Sequence, residues 1–487
     1  MQDTAYGTLL RGQRRALHAR VAATLESQFA EITETRPELL ARQCAQAGLL
    51  EKAAGLWGKA GQRSLERSAL VEAVSQFRRG LDQIALLPPT PALRRQQILL
   101  QVGFANGLYH TKGAAAPETN AAFDQARLLI EQAEVLGDPA DDPLLLYSVL
   151  YGLFIAKFMA FDGDAACALA TQFLTLAQRQ KATVPIMVGH RLLGNSLLVV
   201  GDFAKGLANL DRALALYDPA AHRPLATRFG HDVGVAILSF RPFAQWILGY
   251  PETALAEAGR PFNAAREMEH APTLIFALAC TTFTHIFCRE YAIANTQLEE
   301  CIALAEEKGA PMMKMLATSE RGSVLALTGE AFGAVETISA GLNGYRSTGA
   351  TAWTTAWLSH LALANAQLRK FDDAWGCISE AISVAETTKE RWFEAEINRI
   401  AGEIALMAPQ QDAAKAQEYY ERALKVARQQ QARSWELRAA MSMARLRRDQ
   451  GKSQQAWELL APVYGWFTEG FDTLDLKEAK ALLGELT

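Results

Sequence analysis

Small and apolar side chains recur along the chain at offsets of four, seven and eight residues. Gly206, Leu210, Ala213 and Leu214 form one set. Ala294, Leu298, Cys301 and Ile302 form another, as do Ala334, Ile338, Gly341 and Leu342. Ala374, Ile378, Ala381 and Ile382 follow, then Ala416, Tyr420, Ala423 and Leu424, then Ala456, Leu460 and Val463. Weaker copies start at Ala254 (with Ala258) and at Ala166 (with Ala170 and Phe173). These offsets put the residues of each set on one face of an α-helix. The first members lie at 166, 206, 254, 294, 334, 374, 416 and 456, in steps of 40, 48, 40, 40, 40, 42 and 40. A turn precedes most sets: Gly201-Asp202, Gly249-Tyr250-Pro251, Gly329-Glu330, Phe371-Asp372, Pro409-Gln410 and Gly451-Lys452. Upstream of five of these turns lies a second apolar helix with its own small residue, Gly194, Gly322, Ala362, Gly402 or Ala444. The pattern predicts helix hairpins that bury their faces on their neighbours: an all-α, α-solenoid chain with a period of 40 residues. No strand-like alternation of useful length interrupts it.

A helix pair with a small residue in each helix resembles the tetratricopeptide repeat, whose unit is about 34 residues. The extra residues here imply helices nearly one turn longer. Residues 144–487 carry the regular array. Residues 35–143 read as less regular helical repeats, with helices over Pro37 to Gly48, Leu50 to Leu65 and Ala69 to Ala85. Residues 1–34 form a separate leading segment. The run Leu144 to Ala156 is apolar but is broken by Lys157. It is shorter than the ~20 residues a membrane span needs, so it reads as a buried helix.

Composition narrows the function. The 487 residues carry 49 basic and 53 acidic side chains, a net charge of −4, which argues against broad nucleic-acid binding. Six cysteines and no CxxC pair exclude a disulfide scaffold. With no secretory leader at the start, a cytoplasmic location is expected.

Candidate chemistry is sparse. Gly451-Lys452-Ser453 resembles the end of a phosphate loop, but the motif requires glycine where Leu446 stands. Cys280, His285, Cys288 and Cys301 could suggest a metal site, yet they fall at helix-packing positions. Trp353 and Trp357, one helical turn apart, read as a core stripe, with a ligand-facing pair as the alternative. Arg11, Arg14, Arg15 and Arg20 form one basic cluster. Arg433, Arg438, Arg445, Arg447, Arg448 and Lys452 form another, either a solvated face or a dock for an acidic partner. No catalytic, cofactor-binding or metal-ligating set stands out, so no cofactor and no enzymatic activity are expected. By analogy with repeat geometry, the concave groove would be lined by Arg191, Asn195, Ser319, Ser323, Ser359, Arg399, Glu403, Met441 and Arg445.

Several stretches carry a further resemblance. They are Lys389 to Glu396 (KERWFEAE) with Arg399 to Glu403, Ala423 to Gln430 (ALKVARQQ), Ser434 to Ala440 (SWELRAA) and above all Ala461 to Leu483 (APVYGWFTEGFDTLDLKEAKALL). Together they resemble the carboxy-terminal repeat region of bacterial adenylate/guanylate cyclase signalling proteins that contain an AAA (STAND-type) ATPase. Gly230 to Val235 and Leu248 to Pro251 fit the same array, and Thr35 to Ala41 fits its start. Gln2 to Tyr6, through Leu17 to Arg20, resembles the last helices of the ATPase module. The cyclase domain and the phosphate loop have no counterpart here.

The resemblance implies a non-catalytic interaction or sensor module. It would bind a protein or small effector and act on its own ATPase and cyclase domains within a longer protein. A purely structural scaffold, or an enzyme using His285 with Cys288, are the competing readings.

Overall fold

The computed structural model describes residues 10–138 and 142–487. The reading of Gln2 to Tyr6 lies outside the described residues. All regular structure among the described residues is helical. The first helices are α1 (Arg11–Gln28), α2 (Ala30–Thr35), α3 (Pro37–Ala47), α4 (Leu50–Glu66), α5 (Leu70–Ile84), α6 (Pro91–Thr111), α7 (Pro117–Val135) and α8 (Leu144–Met159). Next come α9 (Gly163–Arg179), α10 (Thr183–Val199), α11 (Phe203–Ala215), the short α12 (Pro219–His222), α13 (Val233–Ile247), α14 (Pro251–Glu267), α15 (Ala271–Phe287) and α16 (Tyr291–Glu307). The last are α17 (Pro311–Thr328), α18 (Ala331–Ser347), α19 (Thr354–Gln367), α20 (Phe371–Thr388), α21 (Glu394–Met407), α22 (Ala413–Gln429), α23 (Arg433–Asp449), α24 (Ser453–Tyr464) and α25 (Leu474–Glu485).

The chain divides into two compact units, with the boundary inside α8. Unit one runs to Leu153 and includes Thr227–Gly230; unit two holds Phe154–Ala226 and His231–Thr487. Unit one packs its helices in chain order. Leu40, Cys44 and Trp57 fill the first contact, Leu70, Phe77 and Leu100 the next, and Val102, Phe123, Ile130 and Val149 the last.

In unit two the periodic positions are the hairpin contacts. Ala294, Leu298, Cys301, Ala334, Ile338, Ala374, Ile378, Ala416, Tyr420, Ala456 and Leu460 are all buried. The α17–α18 hairpin shows how. Pro311 opens α17, where its missing N–H is no loss. Gly329 ends it at φ +89°, a left-handed conformation that favours glycine, and Glu330 donates its N–H back to the Leu325 carbonyl at 2.9 Å. A Cβ on Gly322 would lie 2.8 Å from the Ile338 backbone nitrogen, so only glycine lets the two helices come this close.

Unit two also closes on itself. The Met159 carbonyl at the end of α8 accepts the N–H groups of Thr351 and Ala352, at 2.7 and 3.0 Å. The Val199 carbonyl at the end of α10 accepts those of Arg391 and Trp392, at 2.9 and 3.1 Å. Ser434 donates its hydroxyl to the Trp246 carbonyl at the end of α13, 188 residues away. The Arg438 guanidinium donates to the Phe287 carbonyl at the end of α15. The first three of these contacts share one relation. The orphan carbonyls of a helix end are satisfied by the start of a first helix one superhelical turn later. Gly201 and Gly249, at φ +91° and +96°, turn the chain where Gln430 and Trp466 of the later turn press in.

That contact explains two helices that are apolar nearly all round. Every residue of α13 except Arg241 is buried, and α15 is similar. Hairpin neighbours cover one side and the later turn covers the other. Trp353, Trp392 and Trp435 enter from that turn. Trp353 meets Phe240 and Phe283 at 5.8 and 5.2 Å between ring centres, Trp392 meets Phe243 at 5.4 Å, and Trp435 meets Trp246 at 4.6 Å. No described helix is long and apolar enough to cross a membrane.

Candidate interaction surface

The positions expected to line a groove fall into two groups. Arg191, Asn195, Ser319, Ser323, Ser359 and Met441 are buried. Arg399, Glu403 and Arg445 remain partly accessible. The buried serines donate their hydroxyls along their own helices, Ser323 to the Ser319 carbonyl and Ser359 to the Thr355 carbonyl. Arg191 lies 3.0 Å from His231 Nε2. A guanidinium has only donors, so in this contact the ring nitrogen is the acceptor.

The accessible three belong to a chain of charges across α21, α23 and α25. Arg399 grips the buried Glu396 with two hydrogen bonds of 2.9 and 2.7 Å and reaches Glu403 at 2.7 Å. Ser442 donates to the same Glu403 oxygen at 2.9 Å. Arg438 lies 4.0 Å from Glu396 and donates to Asp475 at 2.8 Å. Arg289, just past α15, donates to Glu478 at 2.6 Å, and Arg445 reaches the other Glu478 oxygen at 3.2 Å. Burial alone would raise the Glu396 pKa, but Arg399 and Arg438 outweigh it and hold it below the ordinary glutamate value. Glu478 follows the same logic, with Arg289 and Arg445 overcoming its partial burial. Arg438 also lies over the Trp246 ring, 4.9 Å from its centre.

Two other glutamates sit inside unit two without a cation. Burial pushes Glu320 well up, and its described partner is the Thr282 hydroxyl. Glu390 accepts from Thr355 at 2.6 Å and from the Trp392 indole at 3.1 Å, and burial raises its pKa to about 7. Burial thus disfavours the charged form of both carboxyls. His285 and Cys288 are buried among α15 residues, and burial lowers the His285 pKa to about 4. Among the described residues no three His, Cys, Asp or Glu side chains are grouped to hold a metal. Trp353 and Trp357 are buried core residues.

The basic cluster near the chain end is paired rather than solvated at four of its members. Arg433 meets Glu436, Arg438 meets Asp475, Arg445 meets Glu478 and Arg448 meets Glu485. The stretch from Tyr464 to Thr473 forms a clip on the start of α14. Glu469 accepts from the Thr253 N–H and hydroxyl, both at 2.8 Å, which places a carboxylate on a helix N-terminus. Gly470 donates to Glu252 at 3.1 Å, and Trp466 lies 5.9 Å from Tyr250. Sequence reasoning missed this role; the signal was the density of aromatic and acidic residues in a stretch that breaks the repeat. Asp232, in the Gly230 to Val235 stretch, caps α13 by accepting the Val235 N–H at 2.7 Å and the Tyr217 hydroxyl at 3.0 Å.

An outer cleft of about 450 Å³ lies between α20, α21 and α22. Lys389, Arg391, Arg422 and Lys425 line it together with Glu386 and Glu394.

No family model matches the chain. A curated relative, an uncharacterized protein of Rhizobium meliloti (strain 1021), is 24% identical over 407 residues. The match covers 82% of this chain and 38% of the relative, so the chain spans well under half of that protein's length. Among solved structures, a Rap protein complexed with Competence and Sporulation Factor is similar at TM-score 0.54 and 11% identity, covering 78% of this chain and 99% of that one. Cut9 in the APC/C hetero-tetramer Cut9-Hcn1 is similar at TM-score 0.53 and 11% identity, covering 98% and 84%. These likenesses establish the fold as a TPR-like α-solenoid.

Proposed function

We propose that the chain is a non-catalytic helical-repeat module of the cytoplasm that binds a protein or peptide on its inner face. Its partner would contact the last repeats, at Arg399, Glu403 and Arg445. The observation that carries this reading is that these three residues are charged and still partly accessible, whereas the other six expected groove positions are buried. The two similar structures were both solved in complexes, one with a signalling factor and one with a subunit partner. In a longer protein, the resemblance at residues 389–483 adds that the module restrains an ATPase and a cyclase domain. A partner that favours one curvature of the array would shift it between two states.

A selection from a displayed peptide library on the folded chain tests this. Binders are expected to lose affinity on Glu403→Gln or Arg445→Glu and to keep it on Lys425→Glu. The reverse pattern would move the site to the outer cleft, whose volume makes it the second reading. Cyclase and ATPase assays on this chain are expected to stay at background; turnover lost on His285→Ala would overturn the module reading.

A further inference from the structure

The array's inner face at α23 already has an occupant, the chain's own α25. Its acidic residues Asp475, Glu478 and Glu485 meet Arg438, Arg445 and Arg448 of α23, and Arg289 of the earlier turn closes on the first two. The apolar side of α25 is short: Leu476, Ala479 and Leu482 are buried, with Leu486 just beyond. The loop before it holds on through polar contacts at Thr253 and Glu252. Beneath the clip, a small gap lined by Trp246, Cys288, Phe467 and Leu476 is left imperfectly filled.

The strength of these contacts is uneven. The Arg445–Glu478 and Arg448–Glu485 pairs have side chains more than a third exposed, where ion pairs contribute little. Arg438 is different. It is nearly buried, it lies over Trp246 and Trp435, and it meets both Asp475 and the Phe287 carbonyl. A helix anchored by three or four apolar side chains and by rim charges is the kind of element that opens before the rest of a fold. The surface it leaves holds one nearly buried arginine, two more exposed ones and an aromatic floor.

We propose that α25 with its clip is an intramolecular ligand, and that the surface beneath it is a docking site for an acidic amphipathic helix of a partner, which binds by displacing α25. This rests on the inner-face reading above and names the chemistry of the partner. The tether gives α25 an effective concentration of about millimolar for a short flexible linker. A free segment of the same chemistry therefore competes poorly until the clip is weakened. In the intact chain α25 covers Arg438 while Arg399, Glu403 and Arg445 stay partly accessible, and partner binding beneath α25 is coupled to release of the clip from α14 and α15.

The test uses a labelled peptide with the sequence of residues 464–487 as probe and the full chain as receptor, read by fluorescence anisotropy. The wild-type chain is expected to bind it at least about 100-fold more weakly than the Asp475→Lys/Glu478→Lys chain, whose own clip is repelled. Adding Arg438→Gln to that variant, which removes the cation without offering the weakened clip a new ion pair, is expected to abolish binding. Hydrogen exchange at the Thr351 and Ala352 amides, which seat on the Met159 carbonyl, checks that each variant keeps its fold. Absence of peptide binding to a folded clip-weakened chain overturns the proposal, as does binding that ignores Arg438→Gln. Because the probe is the chain's own segment, its failure is separate from a failure of the library selection.

Discussion

Replacing Glu390 by glutamine is expected to stabilise the protein at pH 8 and to change little at acid pH. Glu390 is fully buried beside the loop that caps α10, and burial lifts its pKa from 4.5 to about 7. The folded state therefore holds a proton that the unfolded chain releases. The stability tied to that proton is complete below pH 4.5 and is lost as pH rises through about 7. Each pH unit in that window removes about 1.4 kcal/mol, so the loss is about 3 kcal/mol at pH 8 and under about 1 kcal/mol at pH 5. Glutamine keeps an acceptor for Thr355 and Trp392 and carries no charge to bury. Its amide N–H₂ replaces the acid O–H at an oxygen that has no described partner, so the two forms differ little when both are neutral. The assay is the opening free energy of the Arg391 and Trp392 amides, from hydrogen exchange corrected for intrinsic rates, at pH 5 and pH 8. An equal effect at both pH values would refute the reasoning. So would destabilisation at pH 8, since it would mean that the ionised carboxylate is needed.

Three further outcomes follow from packing and charge. Gly322→Ala is expected to cost about 1–3 kcal/mol, because the new methyl meets backbone of α18, whereas Gly376→Ala, in open space on α20, should gain up to about 1 kcal/mol; paired urea midpoints check both. Arg399→Met should destabilise by about 3–5 kcal/mol, since it strands the buried Glu396 with only Arg438 at 4.0 Å; no loss in a thermal melt would mean that Arg438 suffices. Glu478 has a depressed folded pKa, so its contribution is present above the ordinary value of 4.5 and fades as pH falls through the lower folded one. Exchange at the Gly470 amide should accordingly quicken between pH 5 and pH 3 relative to that at Trp392, and a constant ratio would contradict the assignment.

The hairpins were legible because their code is local. An alanine at 334 with isoleucine at 338 needs only its neighbour to make sense. What the period could not convey is what lies one superhelical turn away. Arg191 and Ser319 occupy positions that face a groove in an isolated repeat, but Arg191 is buried against His231 and Phe276, and Ser319 against Gly341 of its own hairpin. Trp353, Trp392 and Trp435 begin successive first helices and together face α13 and α15, a coincidence visible only once the turn closes. The basic cluster at 433–452 was legible as a solvated face, with a dock for acidic residues as the alternative. That the residues came from the same chain was not, because ion pairing leaves no periodic trace. Asp475 and Glu478 look like any exposed acidic side chains until Arg289 is brought beside them.

The paired N–H groups that seat on Met159 and Val199 bear on how this array can change over evolutionary time. An open solenoid gains or loses repeats freely, since each unit sees only its neighbours. Here a duplication between α10 and α21 would carry Arg391 and Trp392 one unit past their carbonyl and would set Trp392 against the wrong ring. The number of hairpins within the turn is therefore held constant by main-chain geometry. Length variation among relatives of this module should accumulate in loops, such as that around α12, or outside the closed turn, and not as whole repeats within it.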